Sequence, residues 1–107
     1  MLAIDDQRPG PPVPERLNLA RHVLFSGSAH DDKPALEVIG TKAAERWSFG
    51  RLRHAVRATA AGLLDQGLRP GDRILMRIGN SPDFPIVFLG AIAAGVIPVP
   101  TSAALGE

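Results

Sequence analysis

Cysteine is absent from the 107 residues, which excludes a disulfide framework and any thiolate metal site. A surplus of one charge is lacking too. The 12 Lys plus Arg stand against 11 Asp plus Glu, a formal net charge of +1, whereas holding a polyanion or an anionic membrane requires a far stronger field. With one Trp and four Phe, there are few platforms on which bases could stack, so nucleic acid is a disfavoured partner. No apolar run is long enough to cross a bilayer. The most apolar window, residues 84–100, is broken by Pro85, Gly90, Gly95, Pro98 and Pro100 and falls short of the roughly 20 residues required. The amino end, MLAIDDQRPGPP, has acids where an export signal carries bases. The cytoplasm is therefore the expected compartment. A chain of this length is one small domain or part of one, and hides only roughly 60 to 70% of the surface it exposes when unfolded.

Residues 1–16 hold Pro9, Pro11, Pro12 and Pro14 among charges and few large apolar groups. Such a segment does not offset its ordering entropy and is expected to be a flexible Pro-rich leader. Pro11 and Pro14 satisfy a PxxP spacing, a pattern that also arises by chance. Asn18 is placed to cap a short helix through Arg21–Phe25, with Leu19, Val23 and Leu24 facing inward and Ser26-Gly27-Ser28 ending it. Ala35–Ile39 and Glu45–Ser48 flank Gly40 and Thr41 as the two strands of a hairpin.

Ser48 is a good cap for a helix over Phe49–Gln66. At 100° per residue, Phe49, Leu52, Val56, Thr59, Ala60 and Leu63 form one apolar stripe, and Gly67 supplies a left-handed stop. Arg51, His54, Ala58, Ala61 and Asp65 lie opposite, with Arg53 and Arg57 flanking, and near-neutral charge favours a solvated face over a nucleic-acid or lipid surface. Arginines near the start of this helix also oppose its dipole. Pro70-Gly71-Asp72 makes a turn into a buried strand over Arg73–Ile78. Ser81 and Pro82 open a helix over Phe84–Ala94 that is apolar all round and so is expected to be sandwiched. Gly95 ends it, and Val96–Pro100 is a second strand, which Pro98 pushes toward an edge or an early end. Strand, helix and strand at this spacing imply a right-handed parallel crossover. The expected class is α/β: a partial subdomain with a β-hairpin and a parallel βαβ unit packed by helices.

Catalytic signatures are missing. A phosphate cradle needs closely spaced glycines and a lysine, yet Lys33 and Lys42 are the only lysines and neither sits in a glycine-rich loop. No GxGxxG follows a strand and no GxSxG elbow occurs. His22, His30 and His54 have no partner at metal-ligand spacing, and Asp31 and Asp32 beside His30 are expected to be solvated. The expectation is therefore no catalytic, cofactor-binding or metal-binding residue within these 107. Asn80, at a strand end beside a helix start, suits a pocket wall, although turn or cap chemistry accounts for it more simply.

Taken in order, several short motifs resemble the amino-terminal stretch of adenylate-forming, AMP-binding enzymes. They are Trp47-Ser48-Phe49 with Leu52, Ala60-Ala61-Gly62-Leu63, and Gly67-Leu68-Arg69-Pro70-Gly71-Asp72-Arg73. Asn80-Ser81-Pro82-Asp83, Gly90-Ala91, and Ala94-Gly95-Val96-Ile97-Pro98-Val99-Pro100 continue the series. Asn18-Leu19-Ala20 and Lys33-Pro34-Ala35-Leu36 fit as well. The resemblance covers residues 17–107, an incomplete portion of such a domain, and the Pro-Thr-Ser ending is most similar to the benzoate and medium-chain acyl-CoA ligase branch.

The resemblance implies a parent acid–thiol ligase. There a carboxylate attacks the α-phosphate of Mg-ATP, and CoA thiol then displaces AMP. It also implies that the phosphate loop with its lysine, the acids for metal and ribose, and a small carboxy-terminal domain belong after residue 107. This chain alone is then expected to be inactive and to bind no cofactor. Its partner is the remainder of the parent domain, which takes ATP, Mg, CoA and a small carboxylic acid. The alternative is a non-catalytic α/β interaction module that binds through an exposed sheet edge.

Overall fold

The computed structural model describes residues 16–25, 30–40 and 44–102. Most of the leader, Ser26-Gly27-Ser28, and Thr41 and Lys42 lie outside the described residues. The chain runs from a short π-helical turn at Arg21–Phe25 into an antiparallel hairpin, β1 (Pro34–Ile39) and β2 (Ala44–Ser48). Helix α1 (Phe49–Asp65) follows, then β3 (Arg73–Met76), α2 (Asp83–Ala93) and β4 (Ile97–Pro100), with β3 and β4 parallel. The fold is mixed α/β, as expected.

Caps and left-handed glycines set the boundaries. Asn18 Oδ1 accepts from the Arg21 amide at 3.1 Å, and Ser48 Oγ accepts from the Arg51 amide at 3.2 Å, each satisfying a donor that a helix start leaves orphaned. Gly67 and Gly95 take φ of 94° and 79° just past the two α-helices, the conformation a Cβ disfavours. Ser81 makes no side-chain cap; Pro82 occupies the cap position of α2 without one. The hairpin bulges between Pro34 and Leu36, and Lys33 O accepts from the Phe49 amide at 2.8 Å, tying the entry of β1 to the start of α1.

Two small cores result. Leu24, Leu52, Val56 and Ile86 form one, joined by Phe25, Ala35, Trp47 and Leu89. Ala91, Ala94 and Val96 form the other, with Ala60, Leu63, Leu68 and Ile74 against them. The α1 stripe is as expected. In the opening turn Leu24 is buried as expected, but Ala20 is buried with it, while Leu19 and Val23, expected inward, are 41% and 49% exposed. Asn18 explains this, because its Nδ2 donates 2.8 Å to Ile92 O at the far end of the chain. That bond fixes how the turn sits on α2.

Two further expectations are corrected. β3 ends at Met76 and is not buried on both faces: Ile74 and Met76 point to the helices, while Leu75 is 74% exposed. Helix α2, expected to be covered on every side, is covered unevenly: residues 84–92 are all buried or half-buried, while Asp83 and Ala93 are exposed. Its buried residues are Ile86, Gly90 and Ala91. Gly90 lies where α2 meets α1, at a spot where a Cβ would come within 2.7 Å of Thr59 Cγ2.

Candidate functional site

The turns after α1 and α2 are tied together by backbone bonds and one side-chain cap. Asp72 Oδ2 accepts from the Arg69 amide at 2.8 Å, the Gly71 amide donates to Gly95 O at 2.9 Å, and the Ile97 amide to Asp72 O at 2.7 Å. Gly71, with φ of 93°, permits that crossing. These bonds lock the two strand starts together, so Gly71 and Asp72 are turn chemistry, as expected, while Arg73 is the first residue of β3.

Arg51 and Arg57 of α1 are exposed, as a solvated face requires, whereas Arg53 is not. Arg53 is only 14% exposed; its Nε donates to Leu24 O at 2.6 Å and its Nη1 to Asp31 Oδ1 at 2.8 Å. Arg51 stacks 3.7 Å from the Trp47 ring centroid, and Arg57 lies 4.6 Å from that of Phe25. Each arginine pins a neighbouring element to the helix through ring contact or a charged hydrogen bond. Tertiary contact thus explains why positive side chains sit in the first turns against the dipole. The periodicity of α1 carried no sign of it, because the aromatic partners belong to other elements.

Among the described residues, a cleft of about 580 Å³ lies between β1 and the segment leading into α2. One wall is Leu36, Glu37, Val38 and Ile39; the other is Ile78, Gly79, Asn80 and Ser81, with Phe84 and Pro85 beside them. Asn80 therefore stands at a pocket wall. The lining is largely apolar and holds no histidine, lysine or arginine. Glu37 faces Arg46, whose Nε lies 3.3 Å from Glu37 Oε1. Nothing in this lining pairs a nucleophile with a base, and nothing supplies positive charge for a phosphate.

Among the described residues, Lys33 is the one lysine and is exposed, and no three His, Asp or Glu residues gather as a metal would require. His22, His30 and His54 are not brought together.

A family model described as AMP-binding enzyme matches residues 25–107. The chain belongs to that family. It is 32% identical over 85 residues to 4-coumarate–CoA ligase 3 of Arabidopsis thaliana, a match covering 79% of this chain and 15% of the relative. It is 42% identical over 52 residues to a 4-hydroxybenzoate–CoA/benzoate–CoA ligase of Rhodopseudomonas palustris, covering 49% of this chain and 10% of the relative. Among solved structures, acetoacetyl-CoA synthetase from Streptomyces lividans superposes with a TM-score of 0.75 at 31% identity, over 80% of this chain and 14% of that one. The chain thus spans about 15% of the length of the first of these relatives. Among the described residues, no helix is long and apolar enough to cross a membrane.

Proposed function

We propose that the chain is the opening section of an ATP-dependent acyl- or aryl-CoA ligase and acts as a supporting wall of that enzyme, without catalytic residues of its own. The family match over residues 25–107 carries this reading. Relatives named for coumarate, hydroxybenzoate and acetoacetate share the same stretch, which supports placing acid selection outside it. The cleft's lack of cationic groups and of any nucleophile–base pair supports inactivity, since stabilising charge on a transferring phosphoryl group needs positioned cations and donors. ATP, Mg and CoA are then cofactors of the longer enzyme in the cytoplasm, and residues 1–16 are its leader.

Carboxylate-dependent ATP–pyrophosphate exchange tests both parts. The 107-residue chain should show none above background, and a protein extended through the coding sequence after Glu107 should show it with at least one aliphatic or aromatic acid. Exchange by the short chain would overturn its non-catalytic role. An extended protein inert toward a broad acid panel would overturn the ligase.

A further inference from the structure

The Pro-rich stretch and the cleft are chemically complementary. From residue 8 the sequence reads Arg-Pro-Gly-Pro-Pro-Val-Pro, so Arg8, Pro11 and Pro14 recur at every third position. Three residues make one turn of a polyproline II helix, about 9 Å long, which sets these three side chains along one edge. Proline also withholds an amide donor while keeping its carbonyl acceptor.

The cleft offers the counterpart of each feature. Its aromatic ring, Phe84, is half-buried and stacked on Phe88 with centroids 6.2 Å apart, so its position is set before anything binds. Leu36, Ile78 and Pro85 extend the apolar lining. Asn80 and Ser81 stand beside them, and no hydrogen bond within the described residues engages the Asn80 amide group or the Ser81 hydroxyl. Glu37 is the single charged residue of the lining. Arg46 Nε meets its Oε1 at 3.3 Å, which leaves Oε2 for a second cation. Proline-rich segments dock in grooves of this kind, where an aromatic ring takes the prolines.

Reach permits the contact within one chain. Asn18 Nδ2 donates to Ile92 O, which places residue 18 at the end of α2 remote from the cleft. Phe84 and Ile92 are eight positions apart on α2, about 12 Å, and four residues of polyproline II span about the same length. Pro14 thus comes within reach of Phe84, with Arg8 two turns, about 19 Å, further along.

We propose that residues 8–14 bind in this cleft of the same chain as a polyproline II helix. Pro11 and Pro14 pack on Phe84 and Ile78, Asn80 and Ser81 donate to carbonyls of the segment, and Arg8 pairs with Glu37. The PxxP spacing then serves an internal site. The contact requires neither nucleotide nor acid, so it stands or falls apart from the ligase reading.

NMR relaxation on the isotope-labelled 107-residue chain, at a concentration where light scattering finds a monomer, tests this. The Gly10 and Val13 amides should have order parameters of about 0.85, like those of β1, with NOEs from the Pro11 and Pro14 rings to Phe84 and Ile78. Arg8→Glu should cut the ratio of docked to free segment by roughly 5-fold, the upper size for one exposed ion pair, and combining it with Glu37→Arg should restore that ratio. Asn80→Ala, at an exposed position, should lower it as well. Order parameters below about 0.6 at both amides would overturn the proposal, as would ordered amides without NOEs to the cleft or a ratio indifferent to Arg8→Glu. Order that appears only where raised concentration brings dimers would place the segment in a second copy's cleft and overturn it too.

Discussion

Arg53 shows how one side chain does what its position along a helix does not reveal. Its guanidinium satisfies the Leu24 carbonyl, and Leu24 itself is 1% exposed in the core. Removing it leaves a nearly buried acceptor unpaired, so Arg53→Ala should destabilise by about 1–3 kcal/mol in urea unfolding. The carboxylate partner is different: Asp31 is 80% exposed, and an exposed ion pair is worth roughly 0–1 kcal/mol. Asp31→Ala should therefore stay within about 1 kcal/mol of the parent. Equal losses at the two positions would show that the ion pair, and not the carbonyl bond, holds the turn. Gly90 makes a second residue-scale case. An added Cβ meets Thr59 Cγ2 and Cβ at 2.7 and 2.8 Å, and Thr Cβ cannot swing away. Overpacking of about 1–3 kcal/mol outweighs the roughly 1 kcal/mol of helix propensity that alanine gains over glycine. Gly90→Ala should lower the urea midpoint and Gly90→Val should lower it further; a stabilised Gly90→Ala would mean that α1 and α2 pack less closely than this.

In and just past α1, two glycines five residues apart obey opposite rules. Gly62 lies inside the helix with nothing within 4 Å of a would-be Cβ, whereas Gly67 holds φ at 94°. Gly62→Ala should stabilise by about 0.5–1 kcal/mol by restricting the unfolded chain. Gly67→Ala should destabilise by about 1 kcal/mol through left-handed strain. Thermal unfolding should show the two midpoints moving in opposite directions, and a common direction would contradict the cap assignment. Both roles were legible beforehand, since an apolar stripe beginning at a Ser cap and ending before glycine defines a helix without tertiary information. The hairpin and the parallel βαβ unit were legible for similar reasons. The face of the opening turn was not. Leu19 and Val23 form as good an i, i+4 pair as Ala20 and Leu24, and the rotation is decided by Asn18 reaching Ile92 O, 74 positions away.

For the whole molecule, the cleft and the bare sheet face were the least legible features, because each is made by elements distant in sequence. β3 spells Arg-Ile-Leu-Met, and nothing in that run says that Leu75 faces away from the helices. The consequence for the isolated chain follows from its surface. Ile39 on the hairpin is 82% exposed and Leu75 on the β3–β4 sheet 74%, and large apolar side chains open on sheets with unpaired edges favour association. The 107-residue chain by itself should therefore self-associate as its concentration rises. Apolar contact should make this stronger in sulfate, where burial is favoured, and charge pairing would make it weaker as salt screens it. Leu75→Glu should suppress the association in light scattering, while Leu64→Glu, on the exposed side of α1 at 46%, should leave it unchanged. If both substitutions act alike, the driving surface is not the β3 face.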